Sequence, residues 1–311
     1  MRVIAILALG LLLTACQTLQ PTTPDWWTSP MADSEQWIYG AGEGYSLTQA
    51  NQQALANIAG KLKTEISASL SHRTQETTMA LDEYADRQLK STVATVSLSH
   101  YETLKTAIFE GKTLTLVRVD RAALAKEWLR QYDATANDVQ RIIRNKSDNP
   151  FQWWLTAKAL VADARSADQL AVMWSGLMSQ EKTSHLEDQL NATIDKRKPS
   201  VRLSGTQSSI NQAIRSSLLE DGLRLGQCRF CDVTLKYQTQ FSSDTLFGQN
   251  VVNMTFVGTL TDRDGEVSTT RWQVRASSAS GASAGKKATQ ILAVQKLKRE
   301  GLWKAFGMET N

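Results

Sequence analysis

The sequence predicts an α+β protein: two small α+β units, each with helices packed on one face of an antiparallel sheet, joined by a helical segment. Three observations predict it. Apolar residues from Leu47 to Leu70 recur at three-and-four spacing straight after a strand signal. From Val233 to Phe241 apolar and polar residues alternate, and Asp264-Gly265 lies between two further alternating runs. Between residues 134 and 197 the β-signals vanish.

Met1 and Arg2 precede an apolar run from Val3 to Leu13, shorter than the roughly 17 to 25 residues of a membrane helix. The run ends at Leu13-Thr14-Ala15-Cys16. A positive, apolar, small-residue order is the export pattern, and small residues ahead of a cysteine resemble a lipobox. The expectation is acylation of the Cys16 thiol and cleavage between Ala15 and Cys16. An ordinary signal peptide with an incidental cysteine is the competing reading. Gln17 to Pro24 holds no periodic apolar set and two prolines, which suits a tether. One acyl chain binds a membrane only marginally, so several chains on Cys16 would make the lipid bilayer a lasting partner. Gln17 stands where enterobacterial lipoproteins retained in the inner membrane commonly carry aspartate. The expected location is therefore the outer membrane, on its periplasmic face.

The chain has 35 basic and 31 acidic residues, and loss of residues 1–15 removes one basic residue, Arg2. No strong partner field follows, and nucleic-acid binding, which needs a clustered basic patch, is not expected. The run Lys196-Arg197-Lys198 beside Pro199 reads as a solvated hinge. The expected organisation is a signal peptide over 1–15, a lipidated tether over 16–30, an N-terminal α+β domain over 31–133, a helical spacer over 134–198 and a C-terminal α+β domain over 199–311.

In the N-terminal domain Gln36 to Tyr39 reads as a short strand breaking into a turn at Gly40, Gly42 and Gly44. Ser46 with Gln49 three residues on is a capping box, and the helix it opens buries Leu47, Ala50, Ala54, Leu55, Ile58, Leu62, Ile66 and Leu70. The polar stretch from His72 to Lys90 is mostly helix-forming. Thr92 to Thr106 and Thr113 to Val119 pair as strands across Phe109-Glu110-Gly111-Lys112, and a helix from Arg121 to about Tyr132 closes the domain.

The spacer reads as three helices with breaks at Asn145 to Pro150 and near Arg165-Ser166, its tryptophans packed internally. A repeat-like peptide groove is the competing reading, without a periodic motif to support it. After Pro199 come a strand over Val201 to Leu203, a helix from Ser208 to Glu220 stopped by Gly222, and three strands. Asp262-Arg263-Asp264-Gly265 turns the last hairpin. A final helix from Lys286 to about Phe306 is expected to bury Ile291, Leu292, Leu297, Trp303 and Phe306.

With Cys16 assigned to lipid, Cys228 and Cys231 remain as a C-x-x-C pair in an oxidising compartment, and an even count favours a disulfide. A structural bond, a redox pair and half of a metal site compete. Structural zinc takes four ligands, and His72, His100 and His185 are scattered. A redox pair should open a helix whose N-terminus lowers the thiol pKa, but this one runs into alternating strand. Gly40-x-Gly42-x-Gly44 lacks the G-x-G-x-x-G spacing of dinucleotide sites, and Glu43 would repel an anion. The glycines read as a structural turn that brings helix close to strand. Glu102 near His100 and Glu187 near His185 form no triad. No catalytic residue, cofactor or metal is expected.

At Asp25-Trp26-Trp27, Pro30, Tyr39 to Ser46 and the alanines Ala50, Ala54, Ala56 and Ala59, the sequence resembles the Lpp-twenty family of bacterial outer-membrane lipoproteins, over about residues 25–130. The resemblance implies a strand, an alanine-patterned helix, a hairpin and a closing helix, and no catalytic residues. Members include surface and flagellar lipoproteins, so envelope or flagellar proteins are the implied partners. The expected function is a non-enzymatic scaffold of an envelope assembly. A regulator of peptidoglycan synthesis and a thiol oxidoreductase are the alternatives.

Overall fold

The computed structural model describes residues 22–70, 101–226 and 228–308. The expected export segment with Ala15 and Cys16, the start of the expected tether, the stretch with His72, and the strand expected from Thr92 as far as His100 lie outside those residues. The described chain is α+β and forms two compact units. One comprises the described residues up to Ala134 with Ser166–Ser184, the other Thr135–Arg165 with the described residues from His185 onward. The expected spacer over 134–198 is thus not a body of its own. Its helices bury apolar residues in two different cores and are divided between them.

In the first unit a short helix, α1 (Asp25–Thr28), precedes β1 (Trp37–Gly44), α2 (Leu47–Leu70), β2 (Tyr101–Phe109), β3 (Lys112–Asp120) and α3 (Arg121–Arg144), whose residues from Thr135 onward belong to the second unit. The sheet is antiparallel in the order β1-β3-β2. Helix α2 opens on the expected cap. The Gln49 amide donates to Ser46 Oγ at 3.3 Å, and Gln49 Oε1 accepts from the Tyr45 amide at 3.0 Å. Leu47, expected inside, is half-exposed, and burial starts at Ala50. The hairpin turns through Glu110 (φ 49°) and Gly111 (φ 77°), two left-handed residues as a type I′ turn requires. Ile38, Ala54, Ile58, Leu62 and Ile66 pack with Val117, Val119, Leu124 and Trp128, and with Leu170, Met173 and Leu177.

The glycine motif corrects the expected turn. Gly40, Gly42 and Gly44 lie inside β1, paired with Val117, Thr115 and Thr113 of β3. Alternate residues of a strand share a face, and this face meets α2. A Cβ on Gly40 would stand 2.2 Å from the Ala54 carbonyl oxygen, and one on Gly42 2.2 Å from that of Ala50. Helix α2 also covers the free edge of β1: Asn57 Nδ2 donates to the Ala41 carbonyl at 2.7 Å, and Lys61 Nζ to that of Tyr39 at 2.8 Å. Capping an edge in this way blocks further strand pairing.

The second unit holds α4 (Pro150–Ala159), α6 (Leu186–Lys196), β4 (Ser200–Ser204), α7 (Ser208–Glu220), β5 (Arg224–Leu225), β6 (Val233–Leu246), β7 (Gln249–Asp262), β8 (Gly265–Ser278), α8 (Ala282–Glu300) and α9 (Leu302–Ala305). Helix α5 (Val161–Met178) runs unbroken through Arg165-Ser166, where a break was expected. The break falls at Leu160, and Ala164, Ala167 and Ala171 carry buried positions across the expected one. The sheet order is β5-β4-β6-β7-β8, mixed because β4 runs parallel to β5 and β6. Tyr237, Phe256 and Trp272 stack across β6, β7 and β8 at 5.1 and 4.3 Å.

Two expectations of burial are corrected here. On α8, Ile291 and Leu292 are exposed, and the buried face is Gly285, Thr289, Ala293 and Leu297. A Cβ on Gly285 would meet Val252 Cγ2 at 2.6 Å, so small residues set the helix against the sheet and turn the larger ones outward. The tryptophans of the expected spacer are not packed only among themselves: Phe151 and Trp154 of α4 lie 5.4 and 5.8 Å from Trp303 of α9. The Asp-Gly hairpin holds α4 in place. Asn149, its N-cap, donates to Asp264 at 2.7 Å, and Gln152 donates to Asp262 at 2.9 Å.

Candidate functional site

Cys228 and Cys231 form a disulfide. The pair leads into strand β6 and does not open a helix, the position that would favour a thiolate. The bond closes a loop of four residues whose middle pair, Arg229-Phe230, is exposed.

Both sides of this loop are tied to β4. Directly after Cys231, Asp232 Oδ2 accepts from the Ser200 amide at 2.8 Å and from its hydroxyl at 2.7 Å. Arg263 completes the carboxylate's shell at 2.7 Å. Burial raises the Asp232 pKa, but these hydrogen bonds and the Arg263 charge outweigh it and hold the carboxyl below its usual range. From β4, Arg202 Nη2 donates to the Arg229 carbonyl at 3.0 Å.

Beside the loop is an open groove of about 680 Å³, lined by Arg202, Arg215 and Arg229 with Leu203, Leu225 and Cys228. Strand β4 supplies Arg202, helix α7 supplies Arg215, and the disulfide loop supplies Arg229. Among the described residues none of the three is paired with a carboxylate, whereas Arg118, Arg121, Arg130, Arg141, Arg165 and Arg263 each are. Three arginines line one groove, and a guanidinium is a planar donor fork suited to carboxylate or phosphate oxygens. This is a binding arrangement for an anion.

The other residues singled out from sequence are dispersed. Gly40, Gly42 and Gly44 serve helix-to-strand packing, and Glu43 pairs with Lys112 at 2.7 Å. Glu102 pairs with Arg118 at 2.6 Å and Glu187 with Arg165 at 2.6 Å. His185 is largely exposed, 3.9 Å from Asp188. Sequence reasoning missed the arginine groove, because its members are far apart in the chain and only β4, α7 and the loop bring them together.

Residues 24–120 match the model of the LPP20 lipoprotein family, which bears out the resemblance read from the N-terminal motif. No curated protein matches the chain. Among solved structures, the secreted protein HP1454 of Helicobacter pylori is similar at 13% identity, over 88% of this chain and 99% of that one, with a TM-score of 0.54. At that identity the likeness is one of fold. A minor lipoprotein of Acinetobacter baumannii (13% identity, 32% of this chain and 88% of that one, TM-score 0.28) and rare lipoprotein B of Shewanella oneidensis (12%, 31% and 83%, 0.24) match shorter stretches.

Proposed function

We propose that this chain is a non-catalytic lipoprotein of the bacterial outer membrane, acylated on Cys16, whose two α+β units scaffold an envelope assembly on the periplasmic side. The observation that carries the reading is the order of two independent signals: the lipobox ending at Cys16, then an LPP20 match that starts at residue 24. Gln17 supports the outer membrane. The β6–β7 hairpin supports a scaffold, since Leu246 and Phe247 at its tip are exposed, and Phe247 fully so. A partner docked on the tip would take these two adjacent apolar side chains out of water.

Cys16→Ser, or inhibition of lipoprotein signal processing by a globomycin-type compound, should leave precursor uncut and remove the protein from the outer-membrane fraction. Soluble mature protein in wild-type cells would overturn the anchor. Crosslinking in the native envelope should capture proteins of one assembly. The family's flagellar members make the flagellum one such assembly, and loss of motility on deletion is the expected result if it is the right one.

A further inference from the structure

We propose that the groove between β4, α7 and the Cys228–Cys231 loop binds the phosphate of an anionic phospholipid, with Phe230 and Leu219 placed against the apolar part of that lipid. The inference does not depend on acylation of Cys16, because it concerns a ligand held by side chains of the second unit.

Three facts carry it. The first is charge without compensation. Arg202, Arg215 and Arg229 line one groove, and among the described residues no carboxylate pairs with any of them. Guanidiniums without a carboxylate partner are open to an anion, which they hold through charge-assisted hydrogen bonds.

The second is preorganisation. The disulfide closes the four-residue loop, Asp232 fastens one end to Ser200, and Arg202 holds the Arg229 carbonyl. Arg229 is therefore presented at little cost in conformational entropy on binding.

The third separates a lipid from a free phosphate ester. Phe230 is 86% exposed beside Arg229, its ring centroid 5.6 Å from that guanidinium. Leu219, 66% exposed, sits one helical turn after Arg215 on the same face of α7. Exposed apolar side chains next to cations are the composition of a lipid-water interface contact. A free phosphate ester gives Phe230 and Leu219 nothing to bury against, and the groove of about 680 Å³ is far larger than one phosphate group.

The test uses the full mature chain in a neutral detergent, titrated with dihexanoyl phosphatidylglycerol below its micelle concentration. Calorimetry should show saturable binding. Dihexanoyl phosphatidylcholine and glycerol phosphate should each bind about tenfold or more weakly, the first for want of net charge and the second for want of apolar contact. Arg215→Gln, on an exposed helix face, should cost about tenfold in affinity by removing charge-assisted bonds. Phe230→Ser should weaken phosphatidylglycerol several-fold and leave glycerol phosphate unchanged. Arg202→Gln also loosens the loop, so its melting curve is taken alongside, and Arg215→Gln carries the conclusion if it fails to fold. Equal binding of the two lipids, or an unaltered affinity in Arg215→Gln, overturns the proposal. Glycerol phosphate binding as tightly as the lipid makes the groove a phosphate-ester site and overturns the lipid assignment. Because the probe is added free, failure of the Cys16 anchor leaves this measurement intact.

Discussion

Gly42 on β1 faces Ala50 of α2 so closely that a Cβ on the glycine would stand 2.2 Å from the alanine's carbonyl oxygen and 2.3 Å from the Ala54 nitrogen. Both are backbone atoms and cannot swing aside. Gly42→Ala should force helix and strand apart and cost about 3 kcal/mol by overpacking. Gly60 is the control: it is exposed on the same helix, with nothing near its would-be Cβ. Gly60→Ala should stabilise by about 1 kcal/mol through helix propensity. Denaturant unfolding of the two variants against the parent checks the opposite signs.

Thr115 of β3 is fully buried, and its hydroxyl donates to Asn51 Oδ1 at 2.9 Å. Asn51 Nδ2 in turn donates to the Tyr101 hydroxyl at 3.2 Å, so one chain of polar contacts joins α2 to β3 and β2. Thr115→Val keeps the volume and strands the Asn51 oxygen, and should cost about 1–3 kcal/mol. A double cycle with Asn51→Leu should recover part of the loss, and equal additivity of the two changes would count against a shared bond.

Asp221 caps α7 and accepts from Trp303 Nε1 at 2.8 Å. Burial is the largest influence on its carboxyl and raises the pKa, while the Trp303 bond pulls the other way. A carboxyl whose folded pKa lies above its unfolded one binds more protons when folded, so its contribution to stability falls as pH rises through that window and stays unfavourable at neutrality. Asp221→Asn keeps an acceptor for Trp303 and removes the charge. The variant should melt higher than the parent at pH 7, and the difference should shrink as the pH is lowered towards about 4.

Phe247 adopts φ 52° at the β6–β7 turn, followed by Gly248 at φ 76°. That pair of left-handed residues suits Asn-Gly, and a left-handed backbone costs an ordinary L-residue about 1–2 kcal/mol. Phe247→Asn should therefore stabilise the isolated protein by about 1 kcal/mol. If the tip docks on a partner, the same variant should lose crosslinks in the envelope while gaining melting temperature.

What was legible before folding is what neighbours in the chain decide among themselves. The Ser46–Gln49 cap, the two-residue turn at Glu110-Gly111 and the Asp-Gly hairpin depend on a few consecutive residues and are found where the sequence puts them, and the alternation expected from Val233 to Phe241 is fully buried at Val233, Leu235 and Tyr237 and partly buried at Thr239 and Phe241. The glycine motif carried its true meaning in its spacing. A period of two is that of a strand face, yet the turn propensity of glycine outweighed it in the expectation. Long-range packing settled the rest. Ile291 and Leu292 look like core residues until Gly285 draws the other face of α8 onto Val252. Residues 134–198 look like one spacer until two cores divide their helices. Arg202, Arg215 and Arg229 belong to a strand, a helix and a disulfide loop, and no local period links them. Their common groove exists because β4, α7 and the loop pack together, and contacts between residues distant in sequence leave no trace in any short window of it.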